Sequence, residues 1–206
     1  MNKIKVLIAD DHTVVRIGLT ALLGTQPDIE VVGEADNGDA AVKTAMKLHP
    51  DIVIMDLMMP KKDGAAATAE LHAKLPDTKV IILTSYSSSD GIAHALEAGA
   101  RGAIVKTADD SALISAIRKV AAGNRFISPK ISQMLRESPP VPELTDKQRD
   151  IIQSMARGLT NADIAKQFGI SPTVAREHIT TILGKLGAAT RTEAVAIALR
   201  KHLLKI

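Results

Sequence analysis

Cysteine and tryptophan are absent from the 206 residues, and the aromatic complement is one tyrosine and two phenylalanines. The missing cysteines exclude disulfides, thiolate metal sites and a cysteine nucleophile, which suits a reducing compartment. With so few aromatics the cores must be aliphatic, and stacking platforms for single-stranded nucleic acid are not available. No apolar run approaches the roughly 18 residues that would mark a membrane span. The opening residues, Met1-Asn2-Lys3-Ile4-Lys5-Val6, alternate as a strand does and do not lead into the apolar stretch of a signal peptide. The expectation is a soluble protein that stays in the cytoplasm and has no membrane partner.

Charge is unevenly spread. Residues 1–122 carry 13 Lys and Arg against 16 Asp and Glu, whereas residues 143–206 carry 10 against 6. An acidic first part and a basic last part suggest different partners, with a polyanion a candidate for the basic one.

Residues 1–122 alternate short apolar runs with amphipathic stretches, the pattern of repeated βα units around a parallel sheet. The runs predict strands over 5–9, 29–35, 52–55, 79–84 and 102–105, and helices near 12–23, 39–48, 65–74, 89–98 and 109–122. Ile52-Val53-Ile54-Met55 is continuously apolar, as a central strand buried on both faces should be. Residues 123–142 read as a linker with a short helix near 129–136, ending in the stiff, proline-rich Ser138-Pro139-Pro140-Val141-Pro142. Residues 143–206 predict helices near 146–157, 161–168, 172–186 and 191–203. Thr145 with Gln148, Thr160 with Asp163 and Thr190 with Glu193 have capping-box spacing, and Ser171-Pro172 supplies a fourth start. Gly158, Gly169 and Gly187 sit where helices should stop. The short Phe168-Gly169-Ile170-Ser171 connection suits a helix-turn-helix.

Ligands of open α/β sheets bind beyond the carboxyl ends of the strands. There the predicted strands end in Asp10-Asp11, Asp56, Thr84-Ser85 and Lys106. Crowded carboxylates repel, and a hard divalent cation relieves that repulsion; Mg²⁺ is the expected ion because it accepts few protein ligands plus water and phosphate oxygens. A metal beside a lone carboxylate suits phosphoryl transfer onto that carboxylate. Taken singly, Asp11 or Thr84 is better read as a cap or turn residue. The argument rests on the set.

These residues carry a resemblance. Asp10-Asp11-His12, Asp56 within Ile54-Met55-Asp56-Leu57-Met58-Met59-Pro60, the following Asp63-Gly64, Thr84, and Lys106 after Ala98-Gly99-Ala100-Arg101-Gly102-Ala103 make residues 1–122 resemble the receiver domain of bacterial response regulators. The resemblance implies a doubly wound, five-stranded parallel sheet of flavodoxin-like order 2-1-3-4-5. It further implies Asp56 as phosphoacceptor, Mg²⁺ held by Asp11, Asp56 and the Met58 carbonyl with Asp10 acting through water, and Thr84 and Lys106 as readers of the phosphoryl group. Receivers usually carry Tyr or Phe three residues before the lysine; here Ala103 stands there, and Tyr86 is the candidate either to share the switch role or to gate the site.

In the basic part, the predicted helix 172–186 offers Thr173, Arg176, Glu177 and Thr180 on a polar side and Val174, Ile179, Ile182, Leu183 and Leu186 on an apolar one. Arg176 can pair bidentately with guanine and Glu177 can accept from cytosine, while Lys185 and Arg191 are placed to hold phosphates. A four-helix protein-binding module with a wet basic side is the alternative. Leu144-Thr145, Gly158-Leu159-Thr160-Asn161, Asp163-Ile164-Ala165, Ile170-Ser171, Arg176, His178, Lys185-Leu186-Gly187 and Arg191-Thr192-Glu193-Ala194 resemble the LuxR-type helix-turn-helix joined to receivers in the NarL/FixJ family. Val174-Ala175 stands where that family has Thr-Val, and Arg176 replaces its recognition lysine.

The resemblance implies a bacterial, cytoplasmic, non-enzymatic two-component regulator of transcription. Its partners would be a sensor histidine kinase or small phosphodonor, double-stranded DNA, RNA polymerase, and a second copy of itself once phosphorylated. Two alternatives stay open: a phosphorylation-independent DNA binder whose receiver is a scaffold, and a Mg²⁺-dependent phosphohydrolase. The latter usually needs an acid/base carboxylate where Met58 stands.

Overall fold

The computed structural model describes residues 3–85, 89–137, 144–201 and 203–204. They form two compact units that divide at Pro139–Pro140.

The first unit is a parallel sheet with helices on both faces. In chain order its elements are β1 (Ile4–Ala9), α1 (Thr13–Gly24), β2 (Ile29–Ala35), α2 (Gly38–Leu48), β3 (Ile52–Asp56), α3 (Gly64–Lys74), β4 (Lys79–Thr84), α4 (Ser89–Glu97), β5 (Gly102–Val105), α5 (Asp110–Ala121), β6 (Phe126–Ile127) and α6 (Pro129–Glu137). The strand order is β2-β1-β3-β4-β5-β6. The doubly wound order is the expected one, with one correction: the described residues make six strands, not five. β6 is only two residues long, and its Phe126 and Ile127 pair with Gly102 and Ala103 of β5. So short an edge strand has no period-2 run by which a sequence could announce it. Residues 123–137, expected as linker, are folded into this unit, because Ile131 of α6 is buried in its core.

Strand alternation sorts the core into two layers. Val6, Ile8, Ile52, Ile54, Ile81, Leu83 and Ile104 face α1 and α5. Leu7, Ala9, Val53, Met55, Val80, Ile82, Ala103 and Val105 face α2, α3, α4 and α6. All five residues of β3 are buried, which is why its sequence is continuously apolar up to Asp56. Truncating Ile54 to alanine would cost about 2 to 5 kcal/mol.

Outside the core, Lys62 joins α2 to α3 by pairing with Asp39 at 2.7 Å and with Glu70, and Lys74 meets Glu70 at 2.6 Å. Hydrogen bonds from Lys62, then Lys74, bring the Glu70 carboxyl down to about 2, from an ordinary 4.5. Because the folded value is the lower one, this network supports the fold fully above about pH 4.5 and loses its contribution as pH falls toward 2. The Glu70 side-chain resonance should therefore titrate near 2 by NMR and move part of the way back toward the ordinary glutamate value in Lys62→Met, where Lys74 still holds it; a normal titration in the unaltered chain would refute the network.

The second unit is all helix: α7 (Asp146–Ala156), α8 (Asn161–Phe168), α9 (Pro172–Leu186) and α10 (Arg191–Arg200). Thr145 with Gln148 and Thr160 with Asp163 form reciprocal capping boxes, and Ser171 caps α9 ahead of Pro172. At α10 the reciprocity differs from expectation. Thr190 accepts from the Glu193 amide, but the Glu193 carboxylate takes the Ala189 amide at 2.8 Å instead of the cap's own. Gly169 and Gly187 end α8 and α9 in left-handed conformation, with φ of 62° and 64°. The aliphatic core joins Ile151, Ile152 and Met155 of α7, Ile164 of α8, Ala175, Ile179, Ile182 and Leu186 of α9, and Ala194 and Ala198 of α10.

Candidate phosphoryl site and nucleic-acid face

β1 lies between β2 and β3, so the chain crosses from one side of β1 to the other there and leaves a crevice at its carboxyl end. Asp10 follows β1 directly, Asp56 is the last residue of β3, Thr84 the last of β4, and Lys106 follows β5. Parallel strands in register bring those ends to one edge, and the side chains meet. Lys106 Nζ lies 2.6 Å from Asp10 Oδ2 and donates a 2.8 Å hydrogen bond to Asp56 Oδ2. Asp10 is 1% exposed and Asp56 4%. Two carboxylates out of water thus share one ammonium.

Burial pushes the Asp56 carboxyl up from its ordinary value, and the nearby Asp10 adds to this, while Lys106 and the Met58 amide pull the other way. Burial alone would lower the Lys106 ammonium, but its close contacts with the Asp10 and Asp56 carboxylates raise it, so the lysine stays charged. Thr84 is buried beside this group, and its carbonyl accepts from the Lys106 amide at 2.7 Å.

His12 joins the cluster without having been picked out as a site residue. Its amide donates to Asp10 Oδ1 at 2.9 Å, and its Nδ1 lies 2.8 Å from Asp11 Oδ1. The Asp-Asp-His run at a strand end was the available signal. One ligand atom from each of Asp10, Asp11, His12 and Asp56 falls within 4.8 Å of all the others. Among the described residues Asp10 Oδ2 has its charge contact with Lys106 but no aligned hydrogen bond, so a buried oxygen keeps donor capacity for a cation. The donor set is mostly hard oxygen with net negative charge, and so fits a small divalent metal.

The loop after Asp56 is tightly built. The Met58 amide approaches Asp56 Oδ1 at 3.4 Å, while the Met58 side chain is 67% exposed. The Gly64 amide donates to the Leu57 carbonyl, and a Cβ on Gly64 would stand 2.2 Å from the Asp56 carbonyl oxygen, so only glycine lets α3 start there. Tyr86, expected to contribute to switching, lies outside the described residues, as does the proline-rich stretch 138–142.

In the second unit Thr173, Arg176, Glu177 and Thr180 are all exposed on α9. Ala175, not Val174, faces the core, and Val174 is 36% exposed beside the polar residues. The apolar side of α9 is otherwise the expected one and differs only at its first position, since Ala175, Ile179, Ile182 and Leu186 keep the i, i+4, i+7 spacing that Val174 breaks. Lys185 and Arg191 are half-buried and turned to internal use. Lys185 Nζ donates to Gln148 Oε1 at 3.0 Å, tying α9 to the capping box of α7. Arg191 donates to Asn161 Oδ1 and to the Leu159 carbonyl, bracing the turn before α8.

A parallel sheet with an acid–lysine cluster at its switch point, followed by a four-helix unit with a capped, exposed helix α9, defines a phosphoreceiver joined to a helix-turn-helix. The family model described as response regulator receiver domain matches residues 6–118, and that described as bacterial regulatory proteins, luxR family, matches residues 142–198. The chain belongs to the LuxR-family response regulators, two-component proteins that regulate transcription. It is similar to the transcriptional regulatory protein LiaR of Bacillus subtilis (strain 168), at 39% identity across 98% of this chain and 99% of that one. It is also similar to the response regulator protein VraR of Staphylococcus aureus (strain COL), at 36% identity over the same shares. Among solved structures, the response regulator ChrA of a heme-sensing two-component system matches at 35% identity with a TM-score of 0.59, covering 99% of this chain and 100% of that one. No helix among the described residues is long and apolar enough to cross a membrane.

Proposed function

We propose that Asp56 accepts a phosphoryl group from a histidine kinase or from a small phosphodonor such as acetyl phosphate, and that this controls binding of α9 to double-stranded DNA. A carboxylate oxygen of Asp56 forms the new bond to phosphorus as the donor's P–N or P–O bond breaks; histidine or acetate leaves. The observation that carries the reading is the meeting of Asp10, Asp56 and Lys106 at one sheet edge, with the ligand atoms of Asp10, Asp11, His12 and Asp56 within 4.8 Å.

Mg²⁺ would be held by Asp11, Asp56 and the Met58 carbonyl, with Asp10 acting through water, and when bound supplies neutralisation of the phosphoryl oxygens. Lys106 neutralises another phosphoryl oxygen, and Thr84 hydrogen-bonds to a third. The modification adds a charge of about −1.5 to −2. Drawing Thr84 and Lys106 toward it shifts a two-state surface that favours a homodimer. Two α9 helices then sit about one DNA turn apart on inverted half-sites, with Thr173, Arg176, Glu177 and Thr180 toward bases and Lys185 and Arg191 near phosphates. Residues 1–122 carry the phosphoacceptor function, 123–142 lead from it through β6 and α6, which pack on the same unit, and 143–206 bind DNA in the cytoplasm, in reach of RNA polymerase.

The exposed thioether of Met58, two residues after Asp56, offers no acid or base for turnover, which weighs against a phosphohydrolase. The test is selection from a random duplex library at fixed salt, with and without beryllofluoride as phosphoryl mimic. Tighter, spaced, inverted half-sites with the mimic are expected. Equal affinity in both arms would instead make the first unit a scaffold, and no enrichment would refute DNA reading.

A further inference from the structure

Receivers usually carry an aromatic switch residue where Ala103 stands, and a methyl group in that position leaves volume that a close-packed interior must fill. Here the filling comes from another element. Ile131 of α6 is 0% exposed and shares one buried cluster with Ala103 and with Ile92 and Ala95 of α4; Met134 and Leu135 pack against the same cluster. β6 fixes the approach: Ile127 pairs with Ala103, and the Ser128 amide donates to the Ala103 carbonyl at 2.9 Å.

We infer that α6 is the moving part of the switch, with Ile131 taking from a neighbouring helix the place that an aromatic ring takes on β5 in other receivers. This rests on the reading of Asp56 given above. α6 has one fully buried side chain, Ile131, so its docking is shallow compared with that of α2 to α5, which bury four or five residues each, and its release costs less than theirs. α4 contributes Ile92 and Ala95 to the cluster that holds Ile131, and Thr84 ends the strand that precedes α4. A pull on Thr84 by phosphorylated Asp56 re-seats α4 and removes the socket. α6 is also the last element before the division at Pro139–Pro140. Its release lengthens the tether to the second unit by residues 128–137, which changes how far and how often that unit can reach a partner.

The experiment is hydrogen exchange on the full chain, with Mg²⁺ and with or without beryllofluoride, while ¹⁹F NMR reports occupancy of the Asp56 site by the mimic. Amides of residues 129–137 should exchange at least about tenfold faster with the mimic bound, with β1 and β3 unchanged. Ile131→Ala should exchange fast without the mimic and lose its response. Ala103→Phe, which overfills the socket, should do the same, and Ala103→Phe with Ile131→Ala should restore both slow exchange and the response. A merely structural Ile131 would give fast exchange in Ile131→Ala but no dependence on the mimic in the unaltered chain. Unchanged exchange with the mimic demonstrably bound would overturn the inference and leave the Asp56 reading intact; no binding of the mimic would overturn both.

Discussion

Asp56→Asn is expected to leave the protein folded and to remove its phosphoryl label completely. The variant loses one of two anions around Lys106, but Asp10 remains 2.6 Å from the ammonium, so the lysine is not left buried and unpaired. The substitution also ends the repulsion between two carboxylates at 1% and 4% exposure. Stability should therefore change by less than about 2 kcal/mol, in either direction. Chemistry is lost altogether, because an amide cannot supply the attacking oxygen. After incubation with radiolabelled acetyl phosphate and Mg²⁺, the unaltered chain should carry label released by hydroxylamine, as an acyl phosphate must, and Asp56→Asn none. Hydroxylamine-sensitive label persisting in the variant would mean another acceptor, Asp11 first, since its carboxylate is the most open of the three.

Arg176→Ala should weaken binding to the selected duplex by about 5- to 150-fold, the worth of one bidentate contact to guanine, roughly 1 to 3 kcal/mol. Arg176 is exposed in the second turn of α9, away from Ala175 and Ile179, which face the core, so its removal should leave the thermal midpoint in place. The signature that separates base reading from phosphate binding is salt. If Arg176 reads a base, affinity falls for the selected sequence only, and the slope of log affinity against log salt hardly changes. Equal losses on selected and random duplex, with a shallower slope, would move Arg176 to the backbone and leave Glu177 and Thr180 as the base readers.

Most of the sheet was legible because buried parallel strands are written as uninterrupted apolar runs, and β3 is the clearest case. The helices of the second unit were legible for a different reason: their caps are local chemistry, and Thr145–Gln148 and Thr160–Asp163 close as their spacing predicts. What escaped depends on distant partners. β6 exists because β5 offers it an edge, and Ile131 is core because α6 packs back onto that side of the sheet. Val174 lies outside the core, with Ala175 inside it, because the first turn of α9 fits either phase until packing against the other helices of the unit fixes which side is covered. The internal hydrogen bonds of Lys185 and Arg191, whose charge also suits them to phosphates, are a further case. Their recipients, Gln148 and the Leu159 carbonyl, are 37 and 32 residues away in sequence, beyond any local pattern. At the acidic edge the convergence of Asp10, Asp56 and Lys106 followed from strand-end position alone, whereas the place of His12 between Asp10 and Asp11 needed the turn geometry.

A single ammonium bridging two acids also makes the edge self-restoring. Were Asp56 to carry a phosphoryl group, the lysine would have a stronger claimant and Asp10 would have to share it. Once water cleaved that acyl phosphate, both acids would compete for the lysine on the old terms. The resting pairing of Lys106 would then return by electrostatics, with hydrolysis as the step that ends the signal.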